Sequence, residues 1–272
     1  MLPFGERLAA AVRAVGHPLC VGIDPIADRW PDGLDGVQGL ETFCRGVVAA
    51  VAGQVAAVKP QSAFFEAYGH RGVAALERVI ASARSAGLLV VLDAKRGDIG
   101  STATAYATAH LGGDTPADAL TLSPWLGPES LAPFLGREGQ GVFVLVRTSN
   151  PGADTWQGSS GAGPSAAVAK WVADRNAGAP GYGDVGAVVG ATLGAELLHW
   201  RRAMPRTWLL VPGLGAQGGR PEDVRAALDA DGLGILANVS RDALYPRSGR
   251  DGASFTSAIH DRVGRLADSL RR

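Results

Sequence analysis

Lysine is scarce in this chain of 272 residues: among 26 basic residues, only Lys59, Lys95 and Lys170 carry an ammonium side chain. Cysteine is scarcer, with Cys20 and Cys44 alone. Two thiols cannot build a disulfide framework, and their spacing lacks the paired clusters that hold zinc, so no metal site is expected. Cys20 lies in an apolar run and reads as a buried core thiol. Charge of either sign is not in excess, because 26 basic residues balance 26 acidic ones, and no basic block is present to follow a phosphodiester backbone. No apolar run approaches the ~20 residues that a bilayer span needs. The segment 1–7 lacks the charged-then-apolar order of a secretory leader. These absences lead us to expect a cytoplasmic protein that binds neither nucleic acid nor membrane.

What the chain does have is 46% hydrophobic residues, enough for a large core, arranged in a regular alternation. Apolar strand-like runs fall at 19–24, 55–60, 88–95, 119–123, 141–147, 185–190, 208–212 and 234–240. Helical patterns fall between and after them, at 40–51, 62–86, 99–111, 128–134, 165–177, 193–204, 221–230 and 255–270. Eight strand–helix units in this length predict an α/β fold of the (β/α)8, or TIM-barrel, type, as a single domain over 1–272. An open doubly wound sheet is the alternative, but it would hold fewer units and show a domain boundary. One segment, 148–164, is long and rich in glycine and serine. Following a strand, it is expected to be a loop over the active site.

The densest chemistry lies in Leu92-Asp93-Ala94-Lys95-Arg96-Gly97-Asp98-Ile99-Gly100-Ser101-Thr102. Alternate residues of a strand share a face, so Asp93 and Lys95 project together from the end of the third strand. Asp98 follows where the chain turns toward a helix. Burying such charges for stability alone is unprofitable, since desolvation matches or exceeds the Coulomb gain. The cluster therefore reads as a reaction centre. In a barrel of this kind the active site forms at the C-terminal strand ends. Those ends supply Asp24 from the first strand and Lys59 from the second, giving an alternating array of Lys59, Asp93, Lys95 and Asp98 with Asp24 at its edge. In such an array each ammonium is held charged by carboxylate neighbours, which suits Lys95 to act as an acid. The seventh and eighth strands end in Pro212-Gly213-Leu214-Gly215-Ala216-Gln217-Gly218-Gly219 and Ser240-Arg241. A glycine turn that exposes backbone N–H groups, facing the planar fork of Arg241, is expected to bind phosphate.

These motifs, taken in order with Gly22-Ile23-Asp24-Pro25, Lys59-Pro60-Gln61-Ser62-Ala63-Phe64-Phe65-Glu66 and Thr148-Ser149-Asn150-Pro151, resemble the orotidine 5′-phosphate decarboxylase family, in its longer bacterial subgroup. The likeness runs along nearly the whole chain. It implies decarboxylation of orotidine 5′-phosphate to UMP with no cofactor and no metal. Lys95 would donate the proton to C6 of the pyrimidine, with Asp93 beside the substrate carboxylate. Asp24 and Lys59 would contact the ribose hydroxyls, Ser149 the pyrimidine ring, and Gln217 and Arg241 the phosphate. Asp98, Ile99 and Thr102 would reach into the site of a second subunit, making a homodimer the working unit. Ser123-Pro124-Trp125 departs from the subgroup's pattern, which leaves that strand end without an assigned role.

Two other readings compete. Related barrels with the same Asp-x-Lys-x-x-Asp core act on sugar phosphates, as 3-keto-gulonate-6-phosphate decarboxylases and hexulose-phosphate synthases do, and hold Mg²⁺ with an acidic residue from the second strand. Lys59 in that place would repel the cation. A catalytically silent phosphosugar- or nucleotide-binding barrel is the second alternative, and the complete Asp93, Lys95 and Asp98 set speaks against it.

Overall fold

The computed structural model describes residues 1–158, 162–191, 194–215, 218–246 and 254–271. Eight strands follow one another around a closed parallel barrel: β1 (Leu19–Ile23), β2 (Ala57–Pro60), β3 (Leu89–Arg96), β4 (Ala119–Leu122), β5 (Gly141–Arg147), β6 (Val185–Val189), β7 (Leu209–Pro212) and β8 (Ile235–Val239). β8 returns to β1, with Leu19 opposite Ala237 and Val21 opposite Val239. The helices are α1 (Phe4–Val15), α2 (Gly36–Val51), α3 (Ser62–Glu66), α4 (Gly69–Ser85), α5 (Gly100–Leu111), α6 (Ala153–Gln157), α7 (Pro164–Arg175), α8 (Ala195–Ala203), α9 (Pro221–Ala226), α10 (Arg241–Leu244) and α11 (Phe255–Leu270). The (β/α)8 expectation is met.

The strands are covered on both sides, which is why they read as continuous apolar runs. On β8, Ile235, Ala237 and Val239 pack outward against the helical layer, whereas Leu236 joins the interior cluster. That interior holds Cys20, Ala57, Leu89, Val91, Ala119, Phe143, Val188 and Leu210. Burial pushes the Cys20 thiol up to about 12, so it stays a neutral core group, as its apolar setting implied. Among the described residues, no helix is long and apolar enough to cross a membrane.

Helix α1 precedes the first strand and was absent from the sequence reading. Phe4, Leu8 and Val12 recur every fourth residue, so they share one face, and all three are buried in the barrel's lower end. Phe4 meets Phe143 edge-on at 6.0 Å, and the Trp208 indole N–H donates to the Gly5 carbonyl at 3.0 Å. Arg7 is fastened to the buried Asp118 carboxylate at 2.7 Å. The helix thus plugs the end of the barrel opposite the catalytic mouth.

Three other expectations need correction. The helix expected over 62–86 is divided into α3 and α4, because the chain turns at Gly69 with φ +63°. The one expected over 128–134 is two 3₁₀ turns, Pro128–Ser130 and Ala132–Phe134. Pro133 has no N–H to give an α-helical turn there. The long segment after β5 is not all loop, since α6 lies within it.

Leu8 is fully buried in the plug. Leu8→Ala is expected to lower stability by about 3 kcal/mol in urea denaturation, as other buried leucine truncations do, with the catalytic mouth unaffected.

Candidate active site

Pairing of β1 with β2 sets Gly22 beside Lys59, and beyond β2 an isolated bridge sets Gln61 beside Asp93. Three strand ends are thereby brought level at the C-terminal mouth. Asp93 lies between two ammonium groups. Lys59 Nζ donates to Asp93 Oδ2 at 2.6 Å, and Lys95 Nζ donates to Asp93 Oδ1 at 2.6 Å. Lys59 is sealed at 4% side-chain exposure, while Lys95 stands at the rim with 47%. Burial alone would raise the Asp93 carboxyl, but Lys59 and Lys95 overcome it and hold it well below the usual carboxylate range. Burial likewise opposes charge on Lys59, and the Asp93 and Asp24 carboxylates outweigh it, leaving its ammonium above the ordinary value.

The end of β3 is irregular. Leu92 pairs with Leu120 of β4, and the next pairing is Arg96 with Leu122, so β3 takes four steps where β4 takes two. Within this bulge Lys95 has φ +47°, alone among the described non-glycine residues in the left-handed region. That conformation costs about 1–2 kcal/mol. Bulges of this kind redirect side chains beside active sites. Thr121, buried on β4, donates its hydroxyl proton to Asp93 Oδ1 at 2.9 Å and accepts from the Ala94 and Lys95 N–H groups. The sequence reading did not single it out, since a lone threonine in an apolar strand gives no signal of its own.

Arg96 shares the motif but not the site. Its guanidinium sits between α3 and α5, paired with Glu66, donating to His110 Nε2 at 3.1 Å and lying over the Tyr106 ring. Burial, followed by the charge of Arg96, lowers His110 to about 4.

Asp24, Lys59, Gln61, Asp93, Pro212, Gly213, Leu214, Asn238, Ser240, Arg241 and Asp242 line a cavity of about 150 Å³. The expected Asp24, Lys59, Asp93 and Arg241 thus meet in one place. Among the described residues Arg241 makes no ion pair, whereas its neighbour Asp242 is bound by Arg262 at 2.7 Å. Two acceptor atoms on this cavity's residues, Asp24 Oδ1 and Asn238 Oδ1, are buried without a donor among the described residues. Gly22 opposite is required by this packing, because a Cβ there would fall 2.1 Å from Ser240 Oγ and 3.0 Å from Asn238 Oδ1. Asn238 falls within the eighth apolar run, 234–240, where its sequence position gives it no role.

The glycine turn after β7 differs from expectation. The N–H groups of Gly215, Gly218 and Gly219 bond to Gly219, Gly215 and Gly213 carbonyls, closing the turn on itself. Their N–H groups are therefore spent internally, which leaves Arg241 as the charged group facing the turn. Gln217 lies outside the described residues.

Asp98 does not join the array within one chain. Its Oδ1 accepts from the Ile99 N–H at 2.8 Å, and among the described residues it makes no ion pair. Ile99, a large apolar side chain, is 60% exposed, and Thr102 is exposed on the first turn of α5. Ser149 follows β5 on another part of the rim, where its Cβ lies so near Gly190 that a side chain there would come within 2.7 Å. The preceding Arg147 is buried between Asp154 of α6 and Glu196 of α8, and Gln157 of α6 exchanges two hydrogen bonds with Thr148 at 2.8 Å each. Trp125, after β4, meets Trp156 of α6 edge-on at 6.0 Å, with both rings exposed.

A parallel barrel that concentrates acid–base groups at the C-terminal rim belongs to the barrel enzymes. Residues 17–242 match the profile of the orotidine 5′-phosphate decarboxylase / HUMPS family, and the chain belongs to that family. The orotidine 5′-phosphate decarboxylase of Streptomyces coelicolor is 50% identical over 281 aligned positions, covering 100% of this chain and 98% of that one. That of Rhodopirellula baltica is 47% identical, covering 90% and 89%. The structure of Leishmania donovani OMP decarboxylase superposes with a TM-score of 0.82 at 34% identity, covering 99% of this chain and 97% of that one.

Lys59→Met removes one of the two partners of a buried carboxylate and is expected to cost about 3 kcal/mol of stability. The pH dependence has a definite sign. Asp93 is depressed, so its contribution is complete above ~3.9 and fades as pH falls, while that of Lys59, which is raised, is complete below ~10.4 and fades at higher pH. Urea denaturation of parent and variant should therefore give a constant difference between about pH 5 and 9. A difference that changes between about pH 6 and 8 excludes this pair as its source.

Proposed function

We propose that this chain converts orotidine 5′-monophosphate to UMP and CO2, the decarboxylation that completes de novo UMP synthesis, as one (β/α)8 catalytic domain over 1–272. It does so in the cytoplasm, without metal or cofactor. The observation that carries the reading is the Lys59–Asp93–Lys95 chain, with its outer ammonium at the barrel mouth. When the C6–carboxylate bond breaks, the electron pair remains on C6 and CO2 departs. Lys95 supplies the proton that fills C6 and afterwards regains one from solvent. A fixed ammonium placed where carbanion charge develops is electrostatic preorganisation. Reactions of this difficulty demand accelerations around 10¹⁷-fold, or ~23 kcal/mol. Asp93, kept ionised beside the scissile carboxylate, disfavours the bound ground state and holds Lys95 in place.

The cavity takes the sugar and phosphate. A ribose diol offers two O–H donors to Asp24 Oδ1 and Asn238 Oδ1, with Lys59 donating to the same hydroxyls. Arg241 receives the phosphate with Gln217, and Ser149 the pyrimidine. Phosphate bound far from C6 provides energy for ordering the site. The Mg²⁺-dependent alternative is disfavoured by the donors themselves, since both Asp93 oxygens are held by ammonium groups. Asp98, Ile99 and Thr102 complete the site of a second copy, which accounts for an exposed isoleucine and a carboxylate that makes no ion pair among the described residues.

Loss of orotidine 5′-monophosphate absorbance tests the reaction. The parent should turn over the substrate equally well in EDTA, and Lys95→Ala should be nearly silent. The 2′-deoxy substrate should lose about tenfold or more in kcat/KM, the cost of leaving a buried acceptor unpaired. No turnover by the parent, with Mg²⁺-dependent activity on a sugar phosphate, rejects the reading.

The shared site is tested by mixing. Lys95→Ala and Asp98→Ala are each inactive as homodimers, but reassembled together in equal amounts they should recover about a quarter of parental activity, since half the dimers are mixed and each has one intact site. No recovery, with mixed dimers present, places Asp98 in its own subunit's site.

A further inference from the structure

We infer that Thr121 is the positioning residue that sets the aim of Lys95, acting through the backbone of the β3 bulge. The inference rests on the reaction proposed above. A threonine hydroxyl has one proton and two lone pairs. Here the Ala94 and Lys95 N–H groups occupy the acceptor side at 3.0 and 2.9 Å, so the proton is directed to Asp93 Oδ1 at 2.9 Å. Thr121 is 1% exposed, which excludes solvent from competing for these bonds. The direction of every hydrogen bond is thus fixed by the geometry.

The bulge explains why such a residue is needed. Ala94 and Lys95 lie in the stretch between the Leu92–Leu120 and Arg96–Leu122 pairings, where β3 has two residues more than β4. Neither residue has a register partner on β4 there, and the hydroxyl of the residue between Leu120 and Leu122 takes both N–H groups. It thereby supports the left-handed Lys95 backbone, φ +47°, that returns the ammonium to Asp93 Oδ1. One oxygen atom couples the backbone of the proton donor to the carboxylate that holds its side chain. Threonine adds a branched Cβ that restricts rotation of this hydroxyl, which serine shares less well.

Thr121→Val keeps the shape and removes the hydroxyl, whereas Thr121→Ser keeps the hydroxyl. In Thr121→Val, kcat should fall by about 30-fold or more, the scale of a displaced reacting group. UMP affinity should stay within about threefold of the parent, since the groups proposed to bind ribose and phosphate lie on other strands. Thr121→Ser should return kcat to within about fivefold of the parent. The scarcity of lysine supplies a readout independent of turnover. With an amine-acylating reagent and peptide mass analysis, Lys95 should react faster in Thr121→Val than in the parent or Thr121→Ser. Lys170, exposed on α7, serves as the internal reference.

Unchanged kcat together with unchanged Lys95 labelling in Thr121→Val overturns the inference. So does a serine variant as poor as the valine one, or a fall in UMP affinity and Tm in step with kcat, which marks a structural role only. A parent that fails to decarboxylate orotidine 5′-monophosphate removes the reaction proposed above, and the labelling comparison then decides the role of Thr121 alone.

Discussion

The placement of one carboxylate governs the catalytic mouth. Asp93 is buried, ionised and divided between Lys59 and Lys95, one oxygen to each. Remove either ammonium and a buried negative charge loses half its compensation, so the three groups form a unit rather than a list. The unit carries one positive charge in excess. That excess suits a ligand that is itself an anion at both ends, and it comes from a chain with no net charge to spare. The scarcity of lysine sharpens the point, because two of three lysines are committed to this carboxylate.

Around that unit the barrel divides its work by strand. β1, β2, β7 and β8 line most of the cavity, with two buried oxygens that lack donors and a guanidinium that lacks a carboxylate among the described residues. β3 and β4 supply the left-handed, hydroxyl-braced strand end that carries Lys95. β5 presents Ser149 on a segment tied down by Arg147 and Gln157, so the long stretch after it is anchored at its base rather than hanging free. In the glycine turn after β7, the N–H groups of Gly215, Gly218 and Gly219 are taken by carbonyls of the same turn. Its glycines allow a tight, self-bonded turn whose own N–H groups are largely consumed.

Much of this was legible in the chain. Apolar runs bounded by turns marked all eight strands to within one or two residues, since a strand buried on both faces is built mainly of apolar side chains. Asp93, Lys95 and Lys59 were legible because charges at the end of such runs are conspicuous. Thr121 and Asn238 were not, for the complementary reason: each is a single small polar residue whose meaning depends on what an adjacent strand places opposite it. The bulge in β3 was invisible as well, because register is a property of two strands and the sequence shows one at a time. Helix α1 escaped because its apolar face pointed at a barrel end rather than at a preceding strand. Proline in the fourth unit broke an expected helix into 3₁₀ turns through a lost N–H, a local effect that the wider pattern concealed.

Helix α1 and the side chains above it fill the lower half of the barrel, from Leu8 and Trp208 up to Leu210 and Leu236. No passage runs through such a packed interior. A molecule that enters over the rim must leave over the rim. For a reaction that splits one substrate into a gas and a nucleotide, traffic then has an order: the small product has to slip past the larger one, or wait until it has gone. The plug at the far end of the barrel, remote from every reacting atom, thus turns the mouth into a one-door room and makes the sequence of departures a matter of architecture.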